Sequence, residues 1–460
     1  MEWLFAVLAV AVPQLCLARF YHGDPAVREV TATDDPGEAL ILTPLIKAGD
    51  IERARDLARV GVLEEGVDLE SYSGFFTVDE RFNSSLFFWY FPAETKNASA
   101  PVVLWLQGGP GSSSLFGLFT ENGPYAYTED EKLVRREYSW GKRHNLLYID
   151  NPVDTGFSFT NSSDGLSRNE TNVGQNLYSA IVQFFTMFPE LQNSDFILSG
   201  ESYAGKYVPA AAYAIHKNNP TANLTINLKG LAIGNGLCDP AHMMLYSDYY
   251  YQLGIIDKKD KVYFRHVEDD IRNKIANKEW KEAAELRLKL LGSHMRNLTG
   301  FSYLYNYLYN TEPVRGGNYS QFVQSEAVRR ALHVGGARYH TGLNVSESLM
   351  NDIMQSIVPW LVELLSAGYR VLVYSGQLDL RIPYPTTVAF LRAMEWGGAA
   401  EYLAAPRRQW HVGSELAGYV KTAGNLTELL VRNSGHMVPA DQPKWAFDLI
   451  SKFADDKPFH

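Results

Sequence analysis

The 460-residue chain is 46% apolar and 20% charged, the composition of a globular enzyme with room for one large α/β domain plus an insertion, or two domains. Its formal net charge of −10, with no Lys/Arg stripe to neutralise phosphates, excludes a nucleic-acid footprint. HExxH and clustered Cys/His are absent, so neither a metal site nor a cofactor is expected.

At the N-terminus, Trp3 to Val12 is almost wholly apolar, and Leu15-Cys16-Leu17-Ala18 offers small residues at cleavage positions. Residues 1–18 therefore read as a secretory signal peptide cut after Ala18, although the segment carries Glu2 and no Lys or Arg. About ten apolar residues are too few to cross a bilayer, so no membrane span is expected. Asn-x-Ser/Thr sequons at Asn83, Asn97, Asn161, Asn169, Asn223, Asn297, Asn318, Asn344 and Asn425 fit the secretory pathway, with a secreted, extracellular or lysosomal destination. Each predicts a solvent-exposed asparagine. Without the signal peptide, Cys238 stands alone and no intramolecular disulfide can form; a core this large does not depend on one.

Residues 19–70 read as an N-terminal arm or pro-region, with a turn at Asp34-Asp35-Pro36-Gly37 and a short helix over Ile51–Val60. Tyr72 to Phe91 reads as a hairpin around Asn83-Ser84-Ser85. Short apolar runs follow at Pro101–Leu106, Leu146–Ile149, Phe196–Leu198, Leu228–Ile233, Arg370–Tyr374 and Glu428–Val431, each ending near Gly, Pro, Asn or Asp. Such runs, separated by helical stretches, predict a buried, mostly parallel sheet with crossover helices. The pattern breaks over residues 239–345, where Lys258 to Leu291 has the spacing of a charged amphipathic helix. This segment is expected to be a helical cap insertion in a core made of residues 71–238 and 346–460.

The stretch Ser199-Gly200-Glu201-Ser202-Tyr203-Ala204-Gly205 follows the strand at Phe196 and leads into a predicted helix. Strand, Gly-x-Ser turn and helix make a nucleophile elbow, which lifts a serine hydroxyl clear of the sheet. Ala204 replaces the usual second glycine, with Gly205 one step later. A serine hydroxyl needs a base, and the base an orienting acid, in the chain order Ser, Asp/Glu, His. Asp379 and His436 each follow a predicted strand, the edge where open α/β sheets place function. His333, His340 and His411 also lie downstream but lack that context, and Asp150 ends a strand but precedes the serine. Earlier, Gln107-Gly108-Gly109-Pro110-Gly111-Ser112 follows a strand, and its Gly-Gly bares backbone N–H groups suited to an oxyanion.

Trp105-Leu-Gln-Gly-Gly-Pro-Gly-Ser-Ser, Asn151-Pro-Val-Asp-Thr-Gly-Phe-Ser-Phe, Gly200-Glu-Ser-Tyr-Ala-Gly-Lys-Tyr-Val-Pro, Ile233-Gly-Asn-Gly and Ser434-Gly-His-Met-Val-Pro together resemble the serine carboxypeptidases. The resemblance extends from about Tyr72 to the C-terminus. Gln107, where most relatives carry Asn, makes it most similar to the vitellogenic-like carboxypeptidase branch.

The resemblance implies an α/β-hydrolase fold and an acid-active exopeptidase that removes one residue from a peptide C-terminus through an acyl-enzyme. In that reading Ser202, Asp379 and His436 are catalytic, and the N–H groups of Gly109 and Tyr203 form the oxyanion hole. Gln107, Gly108, Glu121, Glu201 and Met437 bind substrate, the glutamates with Gln107 receiving its terminal carboxylate. Two close carboxyl groups share a proton and donate to a third only while protonated, so binding is expected to weaken towards neutral pH. Expected partners are peptides or proteins with a free C-terminus, with a homodimer left open. Many relatives carry Cys at position 112 and Gly at position 154, where this chain has Ser112 and Asp154. The alternatives are an acyltransferase on the same scaffold or a stabilising partner of a lumenal enzyme.

Overall fold

The computed structural model describes residues 36–459; the expected signal peptide lies outside them. The expected hairpin is β1 (Tyr72–Asp79) and β2 (Ser84–Phe91), followed by β3 (Val102–Leu106). A small ribbon of β4 (Tyr125–Tyr127) and β5 (Leu133–Arg135) precedes β6 (Asn145–Ile149). Next come β7 (Thr155–Gly156), β8 (Phe196–Glu201) and β9 (Leu228–Gly234). The chain then supplies β10 (His340–Thr341), β11 (Arg370–Gly376), β12 (Arg408–Val412), β13 (Glu415–Ala423) and β14 (Leu426–Val431).

Ten of these strands form one sheet in the order β1-β2-β6-β3-β8-β9-β11-β14-β13-β12. The neighbours from β6 through β14 are parallel, and an antiparallel hairpin closes each edge. The expected mostly parallel sheet is therefore present, because each apolar run is buried on both faces. Val102, Leu104 and Leu106 pack into one core, while Val103 and Trp105 pack into the other. The same alternation separates Phe196 and Leu198 from Ile197. The edge hairpin of β12 and β13 had no counterpart in the sequence reading, since exposed and half-buried residues interrupt its buried ones and its apolar pattern is weak.

The first described residues lie against the sheet. Leu42 N–H donates to the Phe75 carbonyl and Phe75 N–H to the Leu40 carbonyl, both at 2.9 Å. Helices α1 (Thr43–Lys47) and α2 (Ile51–Ala58) follow, with Leu42, Ala54 and Ala58 fully buried. Helix α3 (Leu115–Thr120) follows the glycine-rich loop, α4 (Glu170–Met187) precedes β8, and α5 (Ala204–Asn218) leaves the serine turn.

Between β9 and β11 the chain is mainly helical, beginning with α6 (Pro240–Met243), α7 (Tyr246–Gln252), α8 (Lys258–Ala276) and α9 (Trp280–Lys289). The expected single helix over Lys258–Leu291 is thus two helices. They are separated by Asn277 and Lys278, the latter at φ 62°, and α9 runs on into a π-helical turn over Leu290–His294. Among the described residues, no helix is long and apolar enough to cross a membrane.

Candidate active site

The serine turn is shaped by the space available to it. Ser202 sits at φ 61°, between the end of β8 and the start of α5, and its N–H donates to the Gly234 carbonyl at 3.0 Å. A left-handed backbone at a non-glycine residue costs energy that the surrounding fold must overcome, and such strain gathers at functional sites. At Gly205 a Cβ would lie 2.7 Å from both Gly236 Cα and Leu237 N, so the residue after Ala204 has to be glycine. At Gly108 a Cβ would lie 2.7 Å from Ser202 Cβ and 2.6 Å from Tyr203 N. The loop at 107–111 therefore rests directly on the serine, and a side chain at 108 would push it away.

Asp150 fastens that loop. Its Oδ1 accepts from Ser113 Oγ at 2.6 Å and from Ser114 N–H at 2.9 Å, and its Oδ2 accepts from Phe157 N–H at 2.9 Å. Burial pushes this carboxyl up to about 6 despite those donors. Asp154, the departure from the family pattern, sits at φ 72°, where glycine is the easy choice. Its carboxylate lies 3.0 Å from His340 Nδ1 and 2.9 Å from Asn344 Nδ2, contacts a glycine could not make.

His436 Nδ1 lies 2.7 Å from Asp379 Oδ2, and both residues are almost wholly buried. Asp379 Oδ2 also accepts from Asn235 Nδ2 at 2.6 Å, and its Oδ1 from the N–H groups of Arg381 at 2.6 Å and Ile382 at 3.2 Å. The carboxylate is thus fixed from three sides and the imidazole turned to present Nε2, a buried nitrogen without a hydrogen-bond partner among the described residues. The histidine loop is gripped by the segment between β9 and β11. His436 N–H donates to the Tyr305 carbonyl at 2.6 Å, and the two rings lie 4.9 Å apart. Asp441 draws the loop in through Gly435 N–H at 2.6 Å and is itself paired with Arg315 at 2.6 Å. Met437 follows, buried.

Beside the elbow, Gln107, Glu121 and Glu201 form one cluster with almost no exposure. Trp105 Nε1 donates to Gln107 Oε1 at 2.9 Å, which fixes the orientation of the amide. Gln107 Nε2 then donates to Glu201 Oε1 at 2.9 Å and Glu121 Oε1 at 3.2 Å. Among the described residues, the Oε2 atoms of both glutamates are buried without a donor while the groups are ionised, which a shared proton corrects. Burial raises Glu121 to about 7; burial and the neighbouring Glu121 charge hold Glu201 well above the usual carboxyl range. Protonated at acidic pH, the pair offers O–H donors to an incoming carboxylate. Ionised, it repels one.

A serine at a strand–helix elbow, a buried Asp–His pair at neighbouring strand ends and a ten-stranded, mostly parallel sheet define a serine hydrolase of the α/β-hydrolase class. The serine carboxypeptidase family profile matches residues 61–456. The chain is 49% identical to the venom serine carboxypeptidase of Apis mellifera over 93% of both chains. It is 47% identical to the vitellogenic carboxypeptidase of Aedes aegypti, over 91% of this chain and 90% of that one. With the probable serine carboxypeptidase CPVL of Homo sapiens it shares 45% identity over the same proportions. The crystal structure of Kex1(delta)p, a prohormone-processing carboxypeptidase of Saccharomyces cerevisiae, superposes with a TM-score of 0.75 at 25% identity, covering 87% of this chain and 96% of that one. The chain belongs to the serine carboxypeptidase family and is a serine-type carboxypeptidase, similar to the vitellogenic-like branch as its Gln107 suggested.

Several site residues were not singled out in the sequence. Asn235 stood within the Ile233-Gly-Asn-Gly block, but its role needs the juxtaposition of β9 and β11. Asp150, set aside as a triad acid, holds the glycine loop instead. Tyr305 comes from an irregular stretch with no pattern to mark it. The nine sequon asparagines are all exposed; Asn169 and Asn318 also cap helices.

Proposed function

We propose that Ser202 Oγ attacks the last peptide carbonyl of a substrate while His436 Nε2 takes its proton. Asp379 holds the imidazole at Nδ1 and stabilises the imidazolium. The backbone N–H groups of Gly109 and Tyr203 receive the oxyanion, His436 returns the proton to the departing amine, and water then releases the acyl group from Ser202 by the reverse path. Gln107, Glu121 and Glu201 hold the terminal carboxylate, with Gly108 and Met437 lining that side. The observation that carries this reading is the buried glutamate pair bridged by the Gln107 amide beside the serine turn.

The pair makes the enzyme acid-active, because as pH rises through about 7 Glu121 gives up its proton and the pair gains a charge that opposes the substrate carboxylate. Nine exposed sequons, together with the apolar segment Trp3–Val12, support the secretory pathway and a glycosylated, secreted or lysosomal protein. The packing of residues 40–58 on the sheet supports retaining that part of the arm in the working enzyme.

The test compares a blocked dipeptide bearing a free C-terminus with its amide at about pH 5 and about pH 7, with Ser202→Ala as control. Cleavage of the acid alone, faster at the lower pH and absent from the variant, is expected. Equal cleavage of acid and amide would remove the carboxylate clamp and leave a general serine hydrolase.

A further inference from the structure

Helix α9 reaches the serine turn. A narrow cleft is lined by Gly109, Ser202 and Tyr203 on one side and by Ala284, Arg287 and Leu288 of α9 on another. Leu237, Ile353 and Ile382 supply apolar wall, and Arg381 completes the lining. Gln107, Glu121, Glu201 and His436 take no part in it. The cleft therefore shares the reacting serine with the carboxylate cluster but lies on another side of it. If the departing residue sits against the glutamates, the residue on the acyl side of the scissile bond falls in this cleft. The inference below rests on that proposed reading.

The charge of the cleft is unusual for its setting. Arg287 is 5% exposed, its Nε is buried without a partner among the described residues, and its Nη2 makes one long bond, 3.3 Å, to the Tyr246 hydroxyl. Among the described residues neither Arg287 nor Arg381 pairs with a carboxylate, whereas Arg55, Arg135, Arg143, Arg315 and Arg370 each do. The acid nearest to Arg381 in the chain, Asp379, is already engaged by His436, Asn235 and the Arg381 and Ile382 N–H groups. Arg381 is half-buried, whereas the buried guanidinium of Arg287 is costly without a counter-charge, and that cost is recovered when a ligand brings a carboxylate.

We propose that the acyl-side cleft selects an acidic side chain, so that the enzyme preferentially trims peptides whose penultimate residue is Asp or Glu. The apolar walls take the methylene stem, and the two guanidinium groups take the carboxylate through charge-assisted hydrogen bonds, a geometry that Arg offers and Gln or Lys substrates cannot use. Arg287 and Arg381 are then specificity residues for the known reaction.

The experiment uses four blocked dipeptides ending in Phe with a free carboxylate, carrying Glu, Gln, Lys or Ala at the penultimate position. At about pH 5.5 a glutamate side chain is mostly ionised. The wild-type enzyme is expected to show kcat/KM at least about tenfold higher for Glu than for its isostere Gln, the value of one charge-assisted bond, and lowest for Lys. Arg381→Gln and Arg287→Gln are each expected to pull the Glu/Gln ratio towards one, and Arg381→Lys to keep part of it. A wild-type ratio near one, a preference for Lys, or a high ratio that survives both glutamine variants overturns the proposal. The wild-type comparison needs no variant to fold. Failure here is distinguishable from failure of the parent reading, because the Ala dipeptide acid and its amide, with Ser202→Ala, test that reading alone.

Discussion

Two buried carboxyl sites flank the serine, and they are built in opposite ways. Asp379 receives four donors, from His436, Asn235 and two backbone N–H groups, so its charge is matched inside the protein. Glu121 and Glu201 share one amide between them, and each keeps a buried oxygen with no donor. A carboxylate with its full set of donors can remain charged in a dry site and orient an imidazole. A pair short of donors holds a proton more readily, which suits the role proposed for it as donor to a substrate carboxylate. The same chemical group thus meets a full set of donors in one place and too few in the other, and the two roles proposed for it follow from that difference.

The contrast can be broken most severely on its charged side. Asp379→Asn should lower kcat by about 10⁴-fold with the fold intact, because an amide no longer stabilises the imidazolium or holds the required tautomer. Steady-state kinetics beside a thermal melt would check this, and a loss under tenfold would put the orienting role elsewhere. On the proton-sharing side, Glu201→Gln should cost roughly tenfold in KM for free-acid peptides near pH 5 and flatten the rise of KM towards neutrality. A variant that keeps the original pH profile removes the glutamate pair from substrate recognition.

Asn235→Gly, chosen because Asn235 lies at φ 42°, removes one of the four donors and should lower kcat several-fold, about one hydrogen bond's worth, with little change in KM. An effect on KM alone would contradict its assignment to the Asp379 side. The smallest expected effect is on stability. Burial raises Asp150 to about 6 and Glu121 to about 7, and lifts Glu170 and Glu201 well above the usual range, so the folded protein keeps protons that the unfolded chain releases near the ordinary carboxyl value. Their contribution is full below that ordinary value and is lost as pH rises through the folded ones. Calorimetry should therefore find a lower unfolding temperature at about pH 8 than at about pH 5, and Glu201→Gln should reduce the difference.

The difference between fold and site is also a difference in what the chain discloses. The parallel strands were legible because each carries a short apolar run, unbroken at Val102–Leu106, and the outer hairpin of β12 and β13 was not, because one of its faces meets solvent. The inserted segment showed its helical period but hid the break at Asn277–Lys278, where a local turn interrupts a pattern that continues in phase. Its contribution to the site could not be read at all: Tyr305 reaches His436 through a backbone carbonyl, which any residue carries.

By itself, the sequence determined the chemistry available. The Gly-x-Ser turn after a strand, the later Asp379 and His436 at strand ends, and the Gly-Gly loop follow local rules of backbone sterics and chain order, so a linear reading finds them. Only the tertiary structure decided how that chemistry is tuned. It closes Glu121, Glu201 and Gln107 into one dry cluster, brings Asn235 to Asp379, and sets Arg287 of a distant helix in the same cleft as Ser202. Proton affinity and specificity depend on burial and on which donors arrive from elsewhere in the chain, and those are properties of packing that no local pattern encodes.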